Sequence, residues 1–354
     1  MKVGIEEEFI VVDPETLWCS PGAFRLATGL IYNDARYIQK CSVELPLNSG
    51  SLSTILSRLR EAFCVFEIKT DPYEDIDDLR DELYHHRRQL VDCARDNHLL
   101  ILPSGLHPAH RSSDLIDNCA ALHVHLDYAK ERFDRLFANI PLLLSLSANS
   151  PFLNGQVHSM STRMMLSPHV NLPKGGLERH ADIIHNPVLG TVEVKVLDSQ
   201  ITLDESIGLA SMVKAIGENN RFDTHISKEE YQKKRQQAIF TGFEKKNEYI
   251  DDESLDILTD YNEYAKRKLS MSIGARWQID VFNTYGLSSV VSSLATSFEQ
   301  DTRVMKPSDI KLQNTPGSAR DLWYIIPYLP FFIMDKYKKY HQDIKTSGGI
   351  TFYR

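Results

Sequence analysis

The sequence begins with a strand-like run, MKVGIEEEFIVVDPET, in which three glutamates stand side by side. Glu6, Glu7 and Glu8 lie between Ile5 and Phe9, so a β-strand here would carry carboxylates on both faces. Glu6 and Glu8 would share one face, where each raises the pKa of the other unless a positive group neutralises them. The run is therefore either an exposed edge strand with solvated acids or a strand that faces a cation.

Ionisable residues alternate with apolar ones in three later strand-like runs. They are Glu67 in CVFEIKT, His123, His125 and Asp127 in ALHVHLDY, and Glu193 and Lys195 in GTVEVKVLDS. A single strand histidine is more often a structural residue than a ligand, but four such strands together indicate a metal cluster. Carboxylate oxygens with an occasional imidazole suit Mg²⁺ or Mn²⁺ better than zinc. The sequence has neither a P-loop nor a dinucleotide fingerprint, so phosphates would have to be held by other means.

The periodicity along the chain predicts an α+β fold. Strands are predicted at 3–13, 64–70, 98–105, 120–128 and 190–199, and helices at 76–97 and 203–220. The strands are mostly amphipathic and do not alternate strictly with helices, which favours an antiparallel sheet with helices on one side. We expect a single domain over 1–354, with a charged, solvated helical segment at about 221–270.

Composition excludes several classes of protein. The net charge of −8 gives no basic surface for nucleic acid. The five cysteines are scattered without CxxC spacing, which is typical of a reducing compartment. The acidic N-terminus is unlike a secretory signal, and no apolar run is long enough to span a bilayer. We therefore expect a cytoplasmic protein that contacts neither membrane nor nucleic acid.

Seven stretches, in order, resemble the glutamate–cysteine ligase type 2 family, a family of ATP-dependent carboxylate–amine ligases. They are VGIEEEFIVVDPET, FEIKTDPYEDIDDLRDEL, PSGLHP, ALHVHLD, LSLSANSPFLNG, SMSTRMM and GTVEVKVLDSQITLDESIGLASMVKAI. The match is good over about 3–217 and looser beyond. The resemblance implies a glutamine synthetase-like fold, in which a curved antiparallel sheet forms a bowl for ATP, divalent metals and an amino acid, with helices on the outer face.

The resemblance also implies roles for individual residues. The metal ligands would be Glu6, Glu8, Glu67, His123 and Glu193, and the ATP-binding residues would be Glu6, Glu8, Arg163 and Lys195. Arg163, in SMSTRMM, would contact phosphate or the substrate carboxylate. His125 would lie behind the metal or toward the substrate. Glu61 matches a further family acid with a spacing one residue short.

One residue of the implied catalytic set departs from the family. Lys195 stands where the family has arginine, so it keeps the charge but loses the bidentate fork that arginine offers to an anion. Arg163 and Lys195 would be the catalytic cations.

The sequence therefore predicts an ATP-dependent carboxylate–amine ligase that forms a γ-glutamyl amide through an acyl phosphate, with Mg²⁺ or Mn²⁺. Its partners would be small-molecule amino acids and amines. The sequence does not decide whether the chain forms a homodimer. Two alternatives remain. One is a non-catalytic descendant of the ligase fold that binds nucleotide or metal. The other is a metal-dependent hydrolase, since an HxH strand with nearby acids can also activate water.

Overall fold

The computed structural model describes residues 1–44, 59–111, 119–166, 181–243, 249–314, 321 and 325–326. Its strands are β1 (Val3–Val12), β2 (Cys41–Val43), β3 (Val65–Lys69), β4 (Leu100–Leu102), β5 (Ala121–Asp127), β6 (Phe152–Leu153), β7 (Gln156–Val157), β8 (Ile183–Asn186) and β9 (Thr191–Asp198). The five predicted strands are thus confirmed, each with ends shifted by one to three residues.

The helices within the described ranges begin with four that precede β5. They are α1 (Ala23–Asn33), α2 (Tyr37–Lys40), α3 (Leu59–Ala62) and α4 (Ile76–Asp96). The later helices are α5 (Lys130–Ala138), α6 (Ile140–Ser147), α7 (Thr162–Leu166), α8 (Leu203–Glu218), α9 (Lys228–Thr241), α10 (Asp252–Tyr261), α11 (Glu263–Ser270), α12 (Gly274–Tyr285) and α13 (Leu287–Gln300). None of these helices is both long and apolar enough to cross a membrane.

The two helices predicted most firmly begin at side-chain caps. The Asp75 carboxylate accepts a hydrogen bond from the Asp77 backbone N–H at the start of α4. Thr202 and Glu205 form a reciprocal capping box at the start of α8. These local bonds satisfy backbone donors that a helix start leaves free, which is why the sequence located both helices well.

Seven strands form one antiparallel sheet in the order β2-β3-β1-β5-β9-β8, with β4 also paired to β1. One edge of β1 pairs with β3, and its other edge is shared between β5 and β4. β1 is therefore central, so the glutamate run does not lie on an exposed edge strand.

The two faces of β1 have different surroundings. Val3, Ile5, Phe9 and Val11 belong to the main hydrophobic core, which includes buried residues of α1, α4 and α8. Ile10 belongs to a second core, built with Val12, Trp18, Trp277, Val290 and Leu294 among others. Helices thus cover the face that carries Glu7, as the α+β prediction requires. The opposite face carries Glu6 and Glu8, and near Ile10 it packs against residues of α12 and α13 as well.

The predicted segment 221–270 is helical but not simply solvated. It contains α9, α10 and α11, apart from 244–248, which lie outside the described residues. Arg235 of α9 is buried and donates two hydrogen bonds to the Asp182 carboxylate, at 2.7 and 3.0 Å. Tyr231 donates a third, at 2.5 Å. The prediction of a solvated segment is therefore wrong for α9, because this ion pair fixes the helix beside the start of β8.

Candidate functional site

Strand register gathers the predicted ionisable residues on one face of the sheet. Glu6 lies opposite Lys69 of β3 on one side and His123 of β5 on the other. Glu8 lies opposite Glu67, and His125 lies opposite Glu193. Because directly paired residues point to the same face, the predicted sharing of a face by these side chains is confirmed.

The side chains form two overlapping groups that could hold a metal ion. Glu6, Glu67 and His123 make one group, and Glu6, His125 and Glu193 make the other, with ligand atoms within 4.8 Å of one another in each group. His125 Nε2 is buried and forms no hydrogen bond in the described structure; Glu6 Oε2 lies 3.7 Å from it. Three carboxylates and two imidazoles fit Mg²⁺ or Mn²⁺, and an unsatisfied ring nitrogen is what a ligand position requires.

Glu8 differs from the other predicted ligands. It lies outside both groups, and its Oε2 accepts a hydrogen bond from the Ala121 backbone N–H at 2.8 Å. Burial, with the nearby carboxylates of Glu44 and Glu67, raises the pKa of Glu8 well above its ordinary value. Its role as a metal ligand stays a prediction.

Glu6 has the opposite electrostatic environment. Burial tends to raise its pKa, but the imidazoles of His123 and His125 and the charge of Lys69 hold that pKa well below its ordinary value. Burial and the charge of Lys195 lower the pKa of His123. Glu6 is therefore ionised and His123 neutral at neutral pH, and these are the forms that bind a metal.

Two lysines supply positive charge inside the acidic cluster. Lys69 Nζ lies 3.0 Å from Glu6 Oε1 and 2.6 Å from Glu67 Oε1. Lys195 Nζ lies 2.5 Å from Glu193 Oε1 and 3.4 Å from His123 Nδ1. Burial opposes the charge of each lysine, but the neighbouring glutamates more than compensate and raise the pKa of both.

A β-bulge shapes the edge of the site. Leu122 of β5 pairs with Leu197 of β9, whereas Val124 pairs with Val194, so β9 has one extra residue between these pairs. Without the bulge, strict alternation would turn Asp198 to the helix-covered face. With it, Asp198 pairs with Ala121 and faces the same side as Glu8.

Arg163 is held at this bulge. Its Nε donates to Asp198 Oδ1 at 2.7 Å, and its Nη2 donates to the carbonyl oxygen of Val196 at 2.6 Å. Asp198 is fully buried and also accepts hydrogen bonds from Asn149 N, Ser150 Oγ and Ser161 Oγ. Arg163 is close enough to Glu8 to lower its pKa, against the larger effect of burial. Its predicted contact with phosphate or substrate stays a prediction.

Glu7 points to the face of the sheet opposite the site, where it forms hydrogen bonds with residues of two helices. It is fully buried, and its carboxylate accepts hydrogen bonds from Arg87 Nη2 and Nε of α4, at 2.5 and 2.9 Å, and from Ser206 Oγ at 2.6 Å. The Arg87 guanidinium also lies 5.0 Å from the centroid of the Phe298 ring. The middle glutamate of the run therefore faces a cation supplied by the protein itself.

The remaining acid implied by the resemblance, Glu61, is buried. Its carboxylate accepts a hydrogen bond from Trp18 Nε1 at 3.2 Å, and it belongs to neither group of ligands among the described residues. Sequence reasoning missed Lys69 as a member of the site, although it follows Glu67 by two residues and the same alternation would have identified it.

Comparisons with known proteins identify one family of similar sequences. Residues 2–120 match the model of glutamate–cysteine ligase family 2. Two proteins named "Putative glutamate–cysteine ligase 2", from Cronobacter sakazakii and Sorangium cellulosum, are each 25% identical to the chain, over 233 and 267 residues. The alignments cover 48% and 60% of this chain and 62% and 66% of those proteins, so the chain spans less than two thirds of either relative.

The fold has a counterpart among solved structures. The crystal structure of glutamate–cysteine ligase from Francisella tularensis in complex with AMP superimposes with a TM-score of 0.55 at 13% identity, covering 95% of this chain and 94% of that one. At this identity the likeness concerns the fold alone. The predicted resemblance to the glutamate–cysteine ligase type 2 family is thereby confirmed, and so is the predicted α+β fold.

Proposed function

We propose that the chain is an ATP-dependent carboxylate–amine ligase of the glutamate–cysteine ligase type, which forms a γ-glutamyl amide in the cytoplasm. The observation that carries this proposal is the convergence of carboxylates and imidazoles from β1, β3, β5 and β9 into two groups that share Glu6. An AMP complex of the Francisella tularensis enzyme supports a nucleotide in the same fold.

The residues that would hold Mg²⁺ or Mn²⁺ are Glu6, Glu67, His123, His125 and Glu193, with Glu8 beside them. When bound, such an ion neutralises the charge of nucleotide phosphates and orients them. Because the ligands lie on four strands of one sheet, β1, β3, β5 and β9, they are fixed by the sheet rather than by a loop, which favours precise positioning.

The chemistry would proceed in two steps. A substrate carboxylate oxygen attacks the γ-phosphorus of ATP, a new O–P bond forms, and the bond to the β-phosphate oxygen breaks to release ADP. The amine nitrogen then attacks the acyl carbon, phosphate leaves, and the amine loses a proton. Lys195 would stabilise the transferring phosphoryl group, and Arg163 would anchor an anion at the bulge. These steps require no covalent enzyme nucleophile.

The test is release of ADP with MgCl₂, ATP and a panel of amino acids and amines. We expect turnover that depends on both an amino acid and an amine, and that Glu6→Gln abolishes while circular dichroism stays unchanged. Glu131→Gln, which alters an exposed acid of α5, is the matched control and should retain full activity. Wild-type turnover no faster than background, with all substrates saturating, would refute the proposal.

A non-catalytic descendant is the second candidate, because Lys195 replaces the family arginine and already pairs with Glu193. This candidate predicts nucleotide or metal binding without ADP release. Metal-dependent hydrolysis in the absence of ATP would instead identify the chain as a hydrolase.

A further inference from the structure

Lys69 lies between two of the acids that would hold a divalent ion. Its Nζ is within 3.0 Å of Glu6 Oε1 and 2.6 Å of Glu67 Oε1, and these glutamates are two of the three ligand residues in the group with His123. Ser42 Oγ also donates to Glu67 Oε1, at 2.6 Å. Glu67 Oε1 therefore already contacts an ammonium and a hydroxyl donor.

Charge balance explains this arrangement. Glu67 and Glu193 are buried and Glu6 is mostly so, and three ionised carboxylates on one face would repel each other strongly without a cation. Lys69 and Lys195 provide two positive charges at contact distance, which offset part of this repulsion. A divalent ion added between Glu6 and Glu67 would meet the ammonium of Lys69 at contact distance.

The two lysines are not equivalent. Lys69 contacts two carboxylates of one ligand group, whereas Lys195 contacts only Glu193 among the ligands of the group with Glu6 and His125. The Glu6 oxygen near His125 is Oε2, and Lys69 contacts the other oxygen, Oε1. Competition between an ammonium and a metal ion is therefore strongest between Glu6 and Glu67.

We propose that Lys69 is an internal competitor for the divalent ion, with its ammonium occupying the position between Glu6 and Glu67 and leaving it when an ion binds the Glu6–Glu67–His123 group. The inference rests on the proposed function only in requiring that the site binds a divalent metal. Lys69 then sets the metal affinity of the site. Its side chain is 28% exposed, so Lys69 borders solvent.

The first experiment measures Mn²⁺ binding to the purified chain without nucleotide, from the electron paramagnetic resonance signal of free Mn²⁺. Lys69→Met keeps most of the apolar stem and removes the charge, and should tighten Mn²⁺ binding by about tenfold or more. Lys69→Arg keeps the charge and should bind no tighter than wild type. Lys130→Met, which removes an exposed lysine paired with Asp134, is the control and should change nothing.

The second experiment uses wild-type protein, so it does not depend on any variant folding. Reductive methylation followed by mass spectrometry should label Lys69 weakly without metal and more strongly once Mn²⁺ is added. Lys130 should be labelled equally in both conditions. This experiment separates displacement of the Lys69 ammonium from a general charge effect. A general charge effect would tighten metal binding in Lys69→Met, but Mn²⁺ would not increase labelling of Lys69 in the wild-type protein.

Failure of this inference can be told apart from failure of the proposed function. Mn²⁺ binding that Lys69→Met does not tighten, or labelling of Lys69 that Mn²⁺ does not increase, overturns the inference even if the chain releases ADP. If wild type and Lys69→Met both bind no Mn²⁺, the inference is also wrong. If Mn²⁺ binds and displaces Lys69 but no ADP is released, the inference holds and the ligase proposal fails.

Discussion

Replacing Glu7 with glutamine separates the structural glutamate of the opening run from its two neighbours. Glu7 and Arg87 form a buried ion pair in which Glu7 is fully buried and Arg87 is 4% exposed. Glu7→Gln removes the negative charge but leaves the guanidinium in place. Breaking a buried pair by removing one partner costs about 3–5 kcal/mol of folding free energy.

The structure places the expected cost of Glu7→Gln at the lower end of that range. The glutamine carbonyl can still accept one hydrogen bond, and Arg87 keeps Ser206 Oγ and the carbonyl oxygen of Gln200 as acceptors. We therefore expect a loss of about 3 kcal/mol, a large part of the roughly 5–15 kcal/mol typical of a folded domain. Glu6→Gln should change stability by less than about 1 kcal/mol, because the ion pair between Glu6 and Lys69 is partly exposed.

Denaturation by guanidinium chloride, followed by tryptophan fluorescence, measures both effects on the free energy of unfolding. The double variant Glu7→Leu with Arg87→Met should avoid most of the loss, since a buried ion pair can often be replaced by apolar groups of similar volume. Under conditions where Glu7→Gln stays folded, its kcat per folded molecule should match wild type. A destabilisation by Glu7→Gln below about 1 kcal/mol would refute the argument that Arg87 depends on this carboxylate.

Two further substitutions test the cations of the site. Lys195→Ala should lower kcat for ADP release by about 10²–10³-fold, the scale for losing one charge-stabilising donor. Lys195→Arg should keep measurable activity. Equal rates for Lys195→Ala and wild type would exclude a catalytic role for Lys195. Asp198→Asn should destabilise the fold by about 3 kcal/mol, because it removes the charge partner of buried Arg163 and turns an amide toward hydrogen-bond donors. Denaturation measures this loss, and an unchanged midpoint would contradict the anchoring of Arg163 at the bulge.

The sequence by itself determined the faces of the site strands. Side chains alternate with a period of two along a regular β-strand, so Glu6 and Glu8 were expected to share a face and Glu7 to point away. The same alternation put Glu193 and Lys195 on one face. Applied to β3, it would also have put Lys69 on the same face as Glu67. The metal-site hypothesis could therefore be made without knowing how the strands pair.

Only the tertiary structure decided which side chains meet. Strand register places Lys69 between Glu6 and Glu67, and helix packing brings Arg87 to Glu7 from 80 positions away. These pairings depend on contacts between separate elements, and no periodicity within one element specifies them.

The bulge in β9 is the clearest example of a feature that only the tertiary structure decided. Strict alternation from Glu193 would turn Asp198 toward the helix-covered face, yet one extra residue in β9 brings its carboxylate to the site face. There it binds Arg163, whose Nη2 also reaches the carbonyl oxygen of Val196 within the bulge. A bulge forms where one strand has an extra residue between two successive residue pairs. Its position therefore depends on how both strands pair and cannot be inferred from either strand alone.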